Sequence, residues 1–229
     1  MLTTRREFLD RLAASGIVLT GLPAALGAFP ESLGATEPTI TAADDWDIKW
    51  PAKLTGKVRA VYDVPEIDSG YGVWRASIWA NQYAETHKVP VSTTSTAVVL
   101  RHNGIMLAMQ QAFWDKYDVG KMKDVMHPMT GQMTNRNPAL LTAADGLPEP
   151  FASFAIPNFI KNGGVVLACN LALSLDVAAH IQKTDGVSPE EATKQARAML
   201  IPGVILQPSG VYAAILAQAA GGAQYVHSN

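Results

Sequence analysis

The chain has 229 residues, 48% of them hydrophobic and 17% charged, with a formal net charge of −2. That balance offers no basic field for a nucleic-acid backbone, and it supplies enough apolar material for one sizeable core. A single cysteine, Cys169, excludes an intramolecular disulfide.

The N-terminus reads Thr4-Arg5-Arg6-Glu7-Phe8-Leu9-Asp10 and continues as a moderately apolar stretch to about Phe29. Paired arginines ahead of a weakly hydrophobic segment resemble a twin-arginine export signal. Ser15, Gly16, Thr20, Gly21 and Pro23 make that stretch a poor membrane span. Residues 1–34 are therefore predicted to be a signal peptide with its cleavage region, cut after Gly27 or after Gly34. The mature protein is expected to be periplasmic or otherwise exported, with no membrane span. Residues 35–56 read as an extended leader that Trp46 and Trp50 pin to the domain or to a neighbouring subunit.

Residues 57–63 alternate and carry β-branched and aromatic side chains, which predicts a first strand. A helix follows over 69–86, with Ala76, Ala80 and Ala84 forming a small-residue stripe suited to close packing on a sheet. A second strand spans 93–100 and ends at Arg101-His102-Asn103, and 104–117 reads as helix. Residues 118–147 break this rhythm with Gly120, Pro128, Gly131, Pro138 and Gly146. An irregular insertion of that length inside a domain is often functional. Helical character returns over 148–162. The apolar run 165–169 is a short buried strand that Cys169 closes, and a helix follows over 171–182. Ser188-Pro189-Glu190-Glu191 is a capping box with proline at the first helical position, opening a helix to about residue 200. A strand at 204–207, a helix at 211–220 and a strand at 223–226 complete the chain. Strands separated by helices predict an α/β three-layer sandwich, a mostly parallel sheet with helices on both faces.

Cys169-Asn170 after an apolar strand, Leu200-Ile201-Pro202-Gly203-Val204, Pro208-Ser209-Gly210-Val211, Gln218 and the strand containing Tyr225 together resemble the DsrE/DsrF-like family. The first strand and the turn Arg101-His102-Asn103-Gly104-Ile105 are similar to that family more loosely, so the resemblance covers residues 57–229 around the 118–147 insertion. It implies a mainly parallel sheet of about five strands and assembly as a homo-oligomer. Several members hold sulfur as a persulfide on the strand-end cysteine and pass it between proteins, and Cys169 matches that position. The resemblance thus implies a sulfur donor or acceptor protein as partner and a sulfur carrier or transferase-like role. In this chain no basic residue follows Cys169 in sequence until Lys183.

Ligands of open parallel sheets sit at the carboxyl ends of strands. That rule gathers Asp63, His102, Asn103, Cys169, Asn170 and Ser209 at one edge. Cys169 and His102 are the candidate reactive pair, because an imidazole beside a thiol can draw off its proton and a helix N-terminus favours the thiolate. Asp63, Asn103, Asn170 and Ser209 are candidate ligand-binding residues. The alternatives are a Cys169 that fills core space, a His102 that satisfies a turn, and a Ser209 that caps a helix. No nucleophile-elbow or dinucleotide-binding pattern is present. No cofactor is expected from the leading reading. The second reading is a non-catalytic oligomeric binding module. There Met106, Met109, Met122, Met126, Met129 and Met133, with His127 among them, use the insertion for a partner, copper or haem.

Overall fold

The computed structural model describes residues 46–228. The segment read as an export signal, and the first part of the leader, lie outside the described residues. Five strands form one all-parallel sheet: β1 Val58–Val64, β2 Thr94–Leu100, β3 Val165–Cys169, β4 Ile205–Gln207 and β5 Gln224–His227, in the order β4-β3-β2-β1-β5. The helices between them are α1 Tyr71–His87, α2 Gln111–Tyr117, α3 Ile156–Lys161, α4, α5 Pro189–Ala198 and α6 Gly210–Ala219. α4 runs on directly from β3 through Asn170–Ala172, a π-helical stretch Leu173–Ala178, and Ala179–Asp185. The α/β architecture expected from the alternation of strands and helices is the one observed.

Strand side chains divide between the two faces with period two. Tyr62, Val98 and Val166 belong to the larger core, beneath α1, α2, α4 and α5. Val61, Val99 and Leu167 belong to the smaller one, beneath α6. One helix does not cover that second face, and the leader completes it: Trp50 and Leu54 are buried against the same cluster. Trp50 is fully buried, so the pinning expected of it occurs on the domain itself. Trp46 is only half-buried.

Two predicted helices are broken. Over 104–117 the chain forms a 3-10 segment, His102–Ala108, and then α2. The interruption has a backbone cause: the Gln110 N–H donates to the Met199 carbonyl and the Ile201 N–H to the Ala108 carbonyl, which pulls Met109 into a bridge with Leu200. Over 148–162 a 3-10 turn, Phe151–Ser153, precedes α3, and Ala155 between them is extended. Pro157 falls in the first turn of α3, where its missing N–H costs no helical bond. The insertion at 118–147 contains one helical turn, Val119–Met122, a small hairpin with a Met126–Met133 bridge, and the 3-10 turns Pro138–Leu140 and Ala143–Asp145.

Candidate functional site

β1 and β2 deliver two charged residues to the carboxyl end of the sheet. The Arg101 N–H continues the ladder by donating to the Val64 carbonyl at 3.2 Å, and the Gly104 N–H donates to the Pro65 carbonyl at 2.9 Å. A side chain at Gly104 would collide with the Val64 carbonyl oxygen, so only glycine allows this close approach. The Arg101 side chain in turn lies across Gly210 at the start of α6, where a Cβ would fall 2.7 Å from the Cβ of Arg101.

Asp63 is 2% exposed. Arg101 holds it bidentately, Nε to Oδ1 at 2.6 Å and Nη2 to Oδ2 at 2.8 Å, and the Tyr225 hydroxyl donates to Oδ2 at 2.5 Å. His227 Nδ1 stands 3.6 Å from the same oxygen. Burial pushes the Asp63 carboxyl up, but the bonds from Arg101 and Tyr225 and the guanidinium charge outweigh it and hold the group below its ordinary value. The Tyr225 phenol is raised, first by donating to this carboxylate and then by burial. Asp63 therefore ties β1, β2 and β5 together and fixes Arg101 over the edge, with both carboxylate oxygens engaged.

Cys169 ends β3 and caps α4. Its Sγ accepts the Ala172 N–H at 3.4 Å, and the residue is 5% exposed. On the β4 side its register partner is Gln207, which is fully buried, accepts from Trp50 Nε1 at 3.1 Å and donates to the Asp47 carbonyl at 2.9 Å. On the β2 side the ladder pairs Ala168 with Leu100, which sets Arg101 next in line beside Cys169. Asn170 Oδ1 accepts from Arg197 Nη2 at 3.3 Å, so α5 brings a second guanidinium to the residue following the thiol. Sequence order around Cys169 offered no such cation. The wide π turn of α4 begins three residues after Asn170, and such turns occur frequently at functional sites.

The other predicted residues divide. His102 lies at the same edge but is exposed, with a left-handed backbone (φ 47°), and among the described residues no hydrogen bond joins it to Cys169. Asn103 links Glu66, to which it donates at 2.9 Å, with Lys123, from which it accepts at 2.8 Å. Ser209 accepts from the Tyr212 N–H at 3.1 Å and so caps α6. Arg101, Arg197, Gln207, Tyr225 and His227 were not among the candidates. Asp63 between Tyr62 and Val64 near the end of a largely apolar strand was the available hint of a cationic partner.

The hollows among the described residues include two that bear on the site. One of about 490 Å3 lies at the amino ends of β2 and β3, opposite the edge that holds Cys169, and is lined by Ser77, Asn81, Thr96, Phe154, Phe159 and Asn162 among others. Its described lining carries no titratable side chain. The other, about 330 Å3, lies beside His227 between α1 and the β1/β5 side of the sheet, over Tyr62 and Val226. Burial pushes the Tyr62 phenol up to about 12. Among the described residues no helix is long and apolar enough to cross a membrane, and no three His, Cys, Asp or Glu side chains converge to hold a metal ion. No family model matches the chain, and no curated protein matches it.

Proposed function

We propose that this is an exported, DsrE-like accessory protein that takes up sulfane sulfur as a persulfide on Cys169 and passes it to a partner docked at the carboxyl edge of the sheet. The observation that carries the reading is the placement of Sγ: it receives a main-chain N–H in the first turn of α4, on a strand flanked by Arg101, with Arg197 bound to Asn170. The main-chain N–H holds the sulfur at the strand end where a docked donor would meet it.

The step balances without an added oxidant. The Cys169 thiolate attacks the terminal sulfur of a polysulfide or persulfide donor, a new S–S bond forms at Sγ, the donor S–S bond breaks, and the donor leaves as a thiolate. Release reverses this toward an acceptor thiolate. Proton removal from Cys169 is assigned to solvent or to the donor anion, since His102 makes no bond to the thiol. Leu171 and Leu175 on α4, and Val211 and Ile215 on α6, are exposed on the opening turns of the two helices that start at this edge. Exposed apolar residues grouped around a reactive position suit a partner protein or a second copy of the chain.

The test is transfer. Protein loaded with polysulfide and desalted is mixed with cyanide, which removes a terminal sulfur as thiocyanate and regenerates the thiolate. The reading expects close to one thiocyanate per chain from the natural protein and none from Cys169→Ser. Equal release from both would end it.

A further inference from the structure

The methionines separate into two groups. Met106 and Met109 are in the core at 1% and 0% exposure, whereas Met122, Met126, Met129 and Met133 in the insertion are 37%, 42%, 50% and 55% exposed. Four thioethers this exposed in one short segment form a surface that a soft ligand can reach.

The hairpin supplies one. The Thr134 N–H donates to the Val125 carbonyl at 2.9 Å and the His127 N–H to the Gln132 carbonyl at 2.7 Å. These two bonds bracket Met126 and Met133, which face each other as a bridge. The two are thus a non-hydrogen-bonded antiparallel pair, the closer kind, with Cα atoms about 4.5 Å apart and both side chains on one face. Sequence spacing hides this, because the two thioethers meet across the strands and form no Met-x-Met repeat.

The imidazole of His127 is committed elsewhere. Its Nδ1 accepts the Met129 and Thr130 N–H groups at 3.2 and 3.4 Å, so the ring proton sits on Nε2, 3.3 Å from the Asp145 carbonyl that receives it. His127 braces the loop tip, and Tyr71 donates to the Pro128 carbonyl at 3.2 Å to tie that tip to α1. At the base, Asn135 accepts the Gly120 N–H at 2.8 Å and donates to the Trp114 carbonyl at 3.0 Å. The methionine pair is therefore carried on a braced support.

The geometry points to a Cu(I) site on this hairpin, in which Met126 and Met133 hold one ion between their sulfurs and Met122 or Met129 adds a further thioether. Thioethers beside an imidazole that is bonded elsewhere select a soft monovalent ion over Zn2+, Mg2+ or Ca2+. The inference is independent of the chemistry assigned to Cys169.

The test titrates the full chain with Cu(I), kept reduced by ascorbate under nitrogen, against the chromophoric competitor bicinchoninate, with Ag(I) as a redox-silent substitute. One Cu(I) per chain is expected, with sulfur scatterers in the X-ray absorption spectrum. Met126→Leu and Met133→Leu, which keep the apolar volume at exposed positions, should each weaken binding by about tenfold or more. Cys169→Ala should bind as the natural protein does. Absence of Cu(I) binding would overturn the inference. So would binding that survives the double leucine variant or disappears in Cys169→Ala, which would assign the ion to the thiol. Self-association abolished by the leucine variants, without any Cu(I) binding, would make the hairpin a protein contact and equally overturn it.

Discussion

The sulfur atoms of this protein occupy two opposite settings. Cys169 is closed in at the end of a central strand, its Sγ bonded to a main-chain N–H and its register partner on β4 the buried Gln207. Met126 and Met133 stand in the open on a hairpin braced from behind. Burial beside one oriented donor fixes the position of the thiol but restricts what reaches it. Exposure makes a thioether reachable but gives it no charge to control. The first setting suits a covalent sulfur adduct delivered by a docked donor, the second a reversibly held soft ion.

The ionic clamp beside Cys169 is where a substitution should act most strongly. Arg101→Met leaves Asp63 buried with its main counter-charge gone, and unfolding in urea at neutral pH should show a loss of about 3 kcal/mol. The pH dependence has a definite sign. The folded-state value of Asp63 lies below its unfolded value, so its contribution is present above the ordinary carboxylate range and is lost as pH falls through the lowered value. The gap between natural protein and Arg101→Met should therefore narrow as the titration moves into acid. A gap that stays constant with pH would detach the clamp from Asp63.

The hairpin should be separable from that edge. A Cβ at Gly120 would collide with the Thr134 carbonyl oxygen at the base of the hairpin. Gly120→Ala should thus cost roughly 2 kcal/mol and speed amide exchange at His127 and Thr134, while leaving thiocyanate release from Cys169 unchanged. Linked loss of both would mean that the two regions act as one. Trp50→Phe is expected to cost about 1–2 kcal/mol, because it leaves Gln207 Oε1 buried without its donor. It should also raise the rate at which Cys169 reacts with an alkylating reagent, as the β4 side of the site loosens. The smallest effect is that of Met126→Leu, within about 0.5 kcal/mol of the natural protein in the absence of copper.

Local chemistry made much of the fold legible. Period-two alternation at 57–63, the Ser188 capping box and the glycine and proline punctuation placed the strands and most helices within a residue or two of where they lie. Trp50 was readable as a pin because a leader with buried aromatics has to cover something. What local chemistry could not supply was pairing across the chain. Tyr225 and Asp63 are 162 residues apart, and Arg197 reaches Asn170 from another helix. Those contacts depend on strand order and helix docking, which periodicity does not encode. The break at Met109 has the same origin, a bridge to Leu200 that overrides helical propensity. His227 is exposed, and parallel pairing of β5 with β1 sets it beside Asp63.

The most direct test of the account is the intact mass of the full chain before and after incubation with sulfide and polysulfide. The account predicts a gain of one sulfur atom, reversed by dithiothreitol, absent in Cys169→Ala and retained in Met126→Leu and Met133→Leu. A thiol that gains no sulfur while the protein is folded, and reacts only after denaturation, would contradict it and make Cys169 a core residue that caps α4.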